Sequence, residues 1–277
     1  MYTLNCKGKL LVMDKPLVMG IINITPDSFY EGHLDKNIES IVQLAAAMLA
    51  DGAAILDIGG QSTRPGSIRI TAGEEIKRVL PVIEAIKKNH PDAVISIDTY
   101  QSKVALEAVA AGASIVNDIS AGNIDDNMLK TVAGLKVPFI AMHIKGTPET
   151  MQDDPQYDDV VKEVLDFFIQ KIIACKVAGI ADVIIDPGFG FGKNIEHNFQ
   201  LLKHLQVFSM LDKPLLAGLS RKGTIYKTLS ITAAEALNGT TCLNTIALLN
   251  GANILRVHDV KEAIEAIELL QVYNKQP

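Results

Sequence analysis

The stretch Leu17-Val18-Met19-Gly20-Ile21-Ile22-Asn23 is a continuous apolar run that ends on a polar side chain. Seven further runs of the same kind follow along the chain. They are residues 54–56 before Asp57, 93–97 before Asp98, 114–116 before Asn117, 138–142 before His143, 183–185 before Asp186, 214–217 leading to Ser220 and Lys222, and 253–255 leading to Arg256 and His258. Parallel strands covered by helices on both faces read as continuous apolar runs. Eight such strands predict a (β/α)8 barrel, in which functional groups lie at the carboxyl ends of the strands.

Segments with helical periodicity separate the predicted strands. The spacing predicts helices over residues 37–50, 73–88, 102–111, 125–132, 158–178, 196–208, 232–250 and 260–273, with Ser102 as an N-cap and a break at Asn238-Gly239. Residues 1–13 differ, because two short runs flank Lys7-Gly8, which predicts a β-hairpin that closes the bottom of the barrel. We therefore expect an α/β fold in which residues 1–277 form one domain, a TIM barrel with a short N-terminal β-hairpin.

Composition narrows the functional classes. The chain has 277 residues, close to the usual barrel length of about 250, with 48% apolar and 21% charged residues. Its apolar runs are much shorter than the roughly 18 residues of a membrane span, and a net charge of −6 argues against nucleic acid as the main partner. Three widely spaced cysteines predict free thiols in a reducing cytoplasm.

Two polar segments follow the first two predicted strands. Asn23 offers a neutral oxygen that can ligate magnesium alongside substrate phosphates, although a turn asparagine that bonds its own backbone is the alternative. The loop Gly59-Gly60-Gln61-Ser62-Thr63-Arg64-Pro65-Gly66 can surround an anion with backbone and hydroxyl donors, and Arg64 can supply a bidentate fork. The alternative for this loop is a flexible surface segment with a solvated arginine.

Three more candidates follow later strands. Asp186 suits a guanidine-like edge, because a carboxylate can accept two parallel N–H bonds. Arg256 and His258 are two residues apart on a strand and are expected to face the top of the barrel together, where an anion would bind. The cluster Gly218-Leu219-Ser220-Arg221-Lys222 is either functional or a solvated basic group. Zinc-site and triad-hydrolase motifs are missing from the sequence, which disfavours those chemistries.

Taken together, these segments resemble the dihydropteroate synthase family. The resemblance covers nearly the whole chain in order. It is carried by Asn-Ile-Thr-Pro-Asp-Ser-Phe at 23–29, Gly-Gly-Gln-Ser-Thr-Arg-Pro-Gly at 59–66, Ser-Ile-Asp-Thr at 96–99, Asn-Asp-Ile-Ser at 117–120, Met-His-Ile-Lys-Gly-Thr-Pro at 142–148, Asp-Pro-Gly-Phe-Gly-Phe-Gly-Lys at 186–193, Ser-Arg-Lys at 220–222 and Arg-Val-His-Asp at 256–259. Such enzymes join 6-hydroxymethyl-7,8-dihydropterin pyrophosphate to 4-aminobenzoate and release pyrophosphate with the help of magnesium.

The resemblance implies a role for each matched residue. Asp98, Asn117, Asp186 and Lys222 would bind the pterin ring, and Arg256, His258 and Asn23 the pyrophosphate and magnesium. Thr63, Arg64, Phe191 and Ser220 would serve the aminobenzoate and the mobile loops, and Gly218 is a further substrate-binding position. The catalytic residues among them would be Asn23, Arg64, Lys222, Arg256 and His258, with Asn23 as the magnesium ligand. The resemblance also implies a cytoplasmic homodimer, and we expect loops 25–34 and 61–70 to close over bound ligand.

Some positions depart from the family pattern, and two rival functions are open. Gln61 stands where the family usually has glutamate, and Tyr30-Glu31-Gly32-His33 replaces the usual Ser-Asp-Gly-Gly, which affects the loops rather than the pterin pocket. One rival is a pterin-binding methyltransferase domain that moves a methyl group from a folate to a corrinoid protein. The other is a catalytically silent barrel. The intact loop at 62–65 and the pair Arg256 and His258 favour a pyrophosphate substrate.

Overall fold

The computed structural model of the chain describes residues 1–24, 34–62, 67 and 69–276. Strands and helices alternate through most of it. In chain order the elements are β1 (Tyr2–Cys6), β2 (Lys9–Met13), β3 (Leu17–Asn23), α1 (Leu34–Ala50), β4 (Ile55–Gly59), α2 (Ala72–Asn89), β5 (Ile95–Asp98), α3 (Ser102–Ala111), β6 (Ile115–Asp118), α4 (Met128–Leu135), β7 (Phe139–Met142), α5 (Val160–Ala178), β8 (Val183–Asp186), α6 (Ile195–Lys203), β9 (Leu216–Ala217), α7 (Gly223–Leu229), α8 (Leu237–Leu249), β10 (Ile254–Val257) and α9 (Val260–Tyr273). A 3-10 helix, Leu205–Leu211, lies between α6 and β9.

The strands from β3 to β10 form the barrel that the apolar runs predict. They pair in parallel in the order β8-β7-β6-β5-β4-β3-β10-β9. A bridge between Ile185 and Leu215 then joins β8 to β9, so that the sheet closes on itself. Along each strand, side chains alternate between the helix-facing core, which contains Leu56 and Leu255, and the barrel interior, which contains Ile55 and Ile254. The predicted (β/α)8 architecture is confirmed.

The N-terminal hairpin closes the lower end of the barrel, as predicted. Strands β1 and β2 pair antiparallel around Lys7 and Gly8, whose φ angles of 53° and 90° are those of a tight hairpin turn. The side chains of Leu4, Cys6 and Met13 are buried among the isoleucines of the barrel floor. This plug keeps water from the lower interior and leaves the upper end as the open mouth.

Two predictions for the last third of the chain are wrong. The helix expected over 232–250 begins at Leu237 and runs without a break through Asn238 and Gly239. Glycine is present there because α7, which was not predicted, packs closely on α8, and a Cβ on Gly239 would clash with the side chain of Ile225. The helix expected over 196–208 ends at Lys203 and continues as the tighter 3-10 helix.

The predicted start of the third helix needs a smaller correction. The N-cap position of α3 is Gln101, whose side chain makes no capping bond, so Ser102 is not the cap. The backbone N–H of Ser102 instead donates to Asp125 Oδ2 at 2.7 Å, and a residue from the following loop therefore satisfies this helix end. The helix expected over 125–132 begins only at Met128. Within the described residues, no helix combines the length and apolar character needed to span a membrane.

The hairpin plug yields a stability prediction. Replacement of Leu4, which is 2% exposed, by alanine should lower the free energy of unfolding in urea by about 2–5 kcal/mol, because it leaves a cavity in the barrel floor. Leu10→Ala on the same hairpin is the control, since Leu10 is 64% exposed and its loss should change stability by less than about 0.5 kcal/mol. Equal effects of the two substitutions would show that the hairpin does not plug the barrel.

Candidate active site

Strand register brings polar side chains to one height at the mouth of the barrel. Asn23 pairs with Gly59, Gly59 with Asp98, and Asp98 with Asn117, so these four residues form one row across β3 to β6. Asn23 is exposed, whereas Asp98 and Asn117 are buried. Three of the predicted strand-end residues, Asn23, Asp98 and Asn117, thus lie in one row with Gly59, and the amide of Asn23 is open to solvent.

A buried cluster of charges lies next to this row. The Arg256 guanidinium donates from Nε to Asp57 Oδ2 and from its terminal nitrogen to Asp98 Oδ2, both at 2.6 Å. Asn117 Nδ2 donates to the same Asp57 oxygen at 3.1 Å. Asp57 is completely buried, and among the described residues its other oxygen, Oδ1, has no hydrogen-bond partner. One guanidinium and one amide are therefore held in place by a carboxylate that has no access to solvent.

This environment changes the protonation of the cluster. Burial raises the pKa of the Asp98 carboxyl to about 7, although the Arg256 guanidinium opposes the rise. Burial alone would lower the pKa of Arg256, but the carboxylates of Asp57 and Asp98 outweigh it and raise that pKa above its ordinary value. Arg256 therefore stays charged, and Asp98 is easier to protonate than an ordinary aspartate.

Asp186 and Lys222 lie across the mouth, on β8 and in the turn after β9. Asp186 is 4% exposed and accepts a bond from the backbone N–H of Gly188 at 2.8 Å. Burial raises its pKa, against the lowering effect of Lys222. Lys222 Nζ donates to the carbonyl of Phe189 at 2.6 Å and lies 4.7 Å from the ring centroid of Phe191. Burial lowers the pKa of Lys222 to about 8, with Asp186 opposing.

Gly218 leaves space between these two charged groups. A Cβ at this position would lie 3.6 Å from Lys222 Nζ and 4.0 Å from Asp186 Oδ2. A Cβ there would be in ordinary van der Waals contact with both groups, and glycine places no side chain between this acceptor and this donor. Such a pair suits a planar heterocycle that presents both donors and acceptors along its edge.

Arg256 and His258 do not form the pair of free cations that their spacing suggests. The guanidinium of Arg256 is already paired with two carboxylates. His258 Nδ1 lies 3.0 Å from Ser220 Oγ, and the backbone N–H of His258 donates to the same oxygen at 3.2 Å. Desolvation of its ring, followed by the charge of Arg256, lowers the pKa of His258 to about 4. The imidazole is therefore neutral at pH 7 in the ligand-free protein.

The turn that carries Ser220 and Lys222 is fixed by the residue between them. Arg221 has a left-handed φ of 53°, which turns its side chain away from its neighbours. Its guanidinium makes a bidentate pair with Asp259, with two N–O distances of 2.8 Å. Since Asp259 follows His258, this pair ties the β9 turn to the end of β10 and keeps Ser220 beside the imidazole.

Some predicted site residues lie outside the described part of the chain. These are Thr63 and Arg64, together with most of the two loops expected to close, 25–34 and 61–70. Within the second loop, Gln61 Oε1 accepts a bond from the backbone N–H of Ile70 at 2.8 Å. The position where the family usually has glutamate therefore contributes to the base of the loop through a neutral amide.

Three residues that sequence reasoning did not assign to the site contribute to it. Asp57 was recognised as a strand end but not as a partner of Arg256. Lys193 and His143 lie beneath the mouth, where Lys193 Nζ is 2.8 Å from His143 Nδ1. Asp57 and His143 could be found from the sequence, because each is a polar residue at the end of a predicted strand. The sequence signal for Lys193 is its position at the end of the glycine-rich segment 186–193.

Comparisons with known proteins agree with this geometry. The sequence profile of a family described as pterin binding enzyme matches residues 19–258. The dihydropteroate synthase of Escherichia coli (strain K12) is 43% identical over 267 residues, which cover 96% of this chain and 94% of that protein. A Yersinia pestis dihydropteroate synthase structure with a sulfonamide drug complex has a TM-score of 0.93 and 40% identity, covering 99% of this chain and 100% of that one.

A second solved structure gives the same result. Xanthomonas albilineans dihydropteroate synthase with 4-aminobenzoic acid has a TM-score of 0.92 and 41% identity, covering 99% of each chain. The matched family profile begins in β3 and ends just after β10, so it spans every strand of the barrel. Identity of 40% or more over nearly the full length of these relatives extends the match beyond the fold. The chain belongs to the pterin binding enzyme family, among the dihydropteroate synthases.

Proposed function

We propose that this chain condenses 6-hydroxymethyl-7,8-dihydropterin pyrophosphate with 4-aminobenzoate to give 7,8-dihydropteroate and pyrophosphate. The observation that carries this proposal is the convergence of Asp98, Asn117, Asp186 and Lys222 on one barrel mouth, in a chain matched end to end by dihydropteroate synthases. The chain is thus a transferase of folate biosynthesis, and its substrates are small molecules.

The pterin ring would lie between the two sides of the mouth. Its amino group and ring N–H would donate to the buried carboxylate of Asp186, because a carboxylate can accept two parallel bonds. Asn117 and the Lys222 ammonium would donate to ring acceptors, and the carboxylate of Asp98 would accept from a ring donor. These contacts would fix the ring and its exocyclic methylene in one orientation.

The reaction forms a C–N bond and breaks a C–O bond at that methylene. The aryl amine is neutral at pH 7, so its nitrogen attacks with its lone pair, pyrophosphate leaves with the C–O electron pair, and one amine proton is released. No strong base is needed for this nucleophile, and the barrier lies mainly in separating pyrophosphate from a cationic, ring-conjugated methylene. Orientation of the ring and compensation of the leaving-group charge lower that barrier.

The leaving group would contact the basic side of the mouth. We assign Arg256, His258 and Asn23 to the pyrophosphate end, and Thr63, Arg64, Ser220 and Phe191, with Gly218, to the aminobenzoate end and its loops. Since His258 is neutral without ligand, an approaching pyrophosphate would favour its protonation and create the second cation only when the substrate is present. Arg256 would contribute from an orientation that Asp57 and Asp98 have already fixed.

Magnesium fits this arrangement as a partner of the substrate. The described residues contain no group of three or more His, Cys, Asp or Glu side chains that could hold a metal. Mg²⁺ is commonly held by one or two protein oxygens together with substrate phosphates and water, and the exposed amide oxygen of Asn23 offers one such ligand. When bound there, the ion would neutralise charge on the departing pyrophosphate.

The proposal includes a cytoplasmic homodimer. The location is supported by three cysteines that remain free thiols, two of them buried, as in proteins of reducing compartments. The dimer is inferred from the family resemblance, and light scattering during gel filtration would give the molar mass in solution.

A pyrophosphate-release assay tests the function directly. Pyrophosphate should appear only when dihydropterin pyrophosphate, 4-aminobenzoate and Mg²⁺ are all present, and a sulfonamide should compete with 4-aminobenzoate. Chelation with EDTA should stop turnover and added Mg²⁺ should restore it. Pyrophosphate release without the amine would indicate a hydrolase. Methyl transfer from a methylated folate with no pyrophosphate release would indicate the rival methyltransferase.

The pKa of Lys222 predicts how pterin binding depends on pH. The protonated amine is the donor, so the contribution of Lys222 to calorimetric affinity for 6-hydroxymethyl-7,8-dihydropterin should be fully present well below the pKa of that amine. It should fall as the pH rises through the free-protein pKa of about 8, because binding then requires uptake of a proton.

Lys222→Met is the matched test of that assignment. It should weaken binding at pH 7 by about 1.5–3 kcal/mol and abolish the pH-dependent limb, because the charged donor is gone. Lys203→Met, at an exposed position of α6, should reproduce the wild-type curve. Identical pH profiles in Lys222→Met and wild type would remove Lys222 from the pterin pocket.

A further inference from the structure

Lys193 is a buried lysine that the proposed reaction does not use. It ends the segment that begins at Asp186, and it is 2% exposed. Its Nζ lies 2.8 Å from His143 Nδ1, 2.9 Å from the carbonyl oxygen of Phe191, 3.0 Å from that of Gly188 and 3.3 Å from that of His143. Four acceptors therefore surround one amine inside the protein.

Burying an amine costs free energy of folding unless its donors are hydrogen-bonded, and the four acceptors around Lys193 supply these bonds. Burial lowers the pKa of Lys193 well below its ordinary value, with Asp186 opposing. Burial, and then the charge of Lys193, lowers the pKa of His143 to about 2, so its ring is neutral and Nδ1 can accept a bond. Lys193 therefore donates to these neighbours. Two of the acceptors, the backbone carbonyls of Gly188 and Phe191, belong to the loop that follows β8.

The loop that Lys193 contacts has no regular secondary structure. Gly188 and Gly190 have φ angles of 69° and 82°, and a Cβ on Gly188 would clash with the His143 carbonyl. Side chains bind the successive carbonyl oxygens of residues 188–191: Lys193 takes those of Gly188 and Phe191, Lys222 that of Phe189, and Gln152 that of Gly190. Lys193 therefore holds both ends of the segment, and Lys222 contacts its middle.

We propose that Lys193 is a positioning residue for Lys222. By fixing residues 188–191 from below, it sets the Phe189 carbonyl and the Phe191 ring at the places where they hold the Lys222 amine. The role of Lys222 toward the pterin rests on the proposed function, whereas the link from Lys193 to Lys222 is a property of the free protein.

The pKa of Lys222 depends on its burial and on nearby charges, so it should respond when Lys193 no longer holds residues 188–191. Asp186, Arg256 and Asp98 act on it within the mouth, and Lys193 lies on the other side of the segment. Burial is the main cause of its lowered pKa. A loosened segment would admit water to the amine, so the pKa of Lys222 should rise toward the ordinary lysine value.

Competitive acetylation of the free enzyme tests this link without turnover. Trace acetic anhydride is applied across a range of pH, and mass spectrometry of the Lys222 peptide gives the titration midpoint of that amine. In Lys193→Met the midpoint should rise by about one pH unit, a modest fraction of the shift that burial can produce. Lys203→Met, on the exposed end of α6, should leave the midpoint at its wild-type value.

Steady-state kinetics give a second readout. The KM for dihydropterin pyrophosphate should rise about tenfold in Lys193→Met, the scale of one weakened hydrogen bond to a charged group. If Lys193→Met does not fold, Lys193→Gln, which retains an amide donor, is used instead. The Lys222 midpoint and the KM for dihydropterin pyrophosphate should again rise.

The outcomes separate the two proposals. An unchanged Lys222 midpoint in a folded Lys193 variant overturns the positioning role, whatever the activity. Failure of both variants to fold also overturns it, because Lys193 would then belong to the general core. A shifted midpoint in an enzyme that does not couple the two substrates would support the link while refuting the proposed function.

Discussion

The Arg256 guanidinium lies between the carboxylates of Asp57 and Asp98, inside the upper end of the barrel, and the geometry of the mouth depends on this contact. Asp57 also accepts from Asn117, so one buried carboxylate orients residues from strands on both sides of it. Removal of one partner from a buried ion pair typically costs about 3–5 kcal/mol, since the remaining charge has no water to solvate it. Arg256 and its two carboxylates therefore strongly stabilise one another in this arrangement.

The two sides of the mouth contribute in different ways. On the β4 to β6 side, strand register and the buried charges position Asp57, Asp98 and Asn117 directly. On the β8 and β9 side, the loop after Asp186 has no ladder to hold it, and side-chain amines take its backbone carbonyls instead. His258 is neutral until an anion approaches, so the electrostatic response to a pyrophosphate substrate would be local and would follow substrate binding.

The fold was predictable because its signal is local. Apolar runs mark the strands, and the Lys7-Gly8 turn marks the hairpin. The site was partly predictable, since strand ends in a barrel converge whatever the loops do. The partner of Arg256 could not be predicted, because Asp57 lies 199 residues away in the chain and the closed barrel is what brings the two together. The uninterrupted α8 was missed for the same reason: Gly239 is there for its contact with Ile225 of another helix.

Calorimetric titration of Asp57→Asn with 6-hydroxymethyl-7,8-dihydropterin tests the central claim most directly. Asp57 is completely buried, so its effect on the ligand would pass through its neighbours Arg256, Asn117 and Asp98, and an amide at this position would oppose a donor of Arg256 or Asn117. The account predicts affinity about tenfold weaker than wild type. Asp118→Asn should retain wild-type affinity, because among the described residues this equally buried carboxylate makes its hydrogen bonds within its own turn, to Ser120 and Gly122. Wild-type affinity in a folded Asp57→Asn protein would contradict the account.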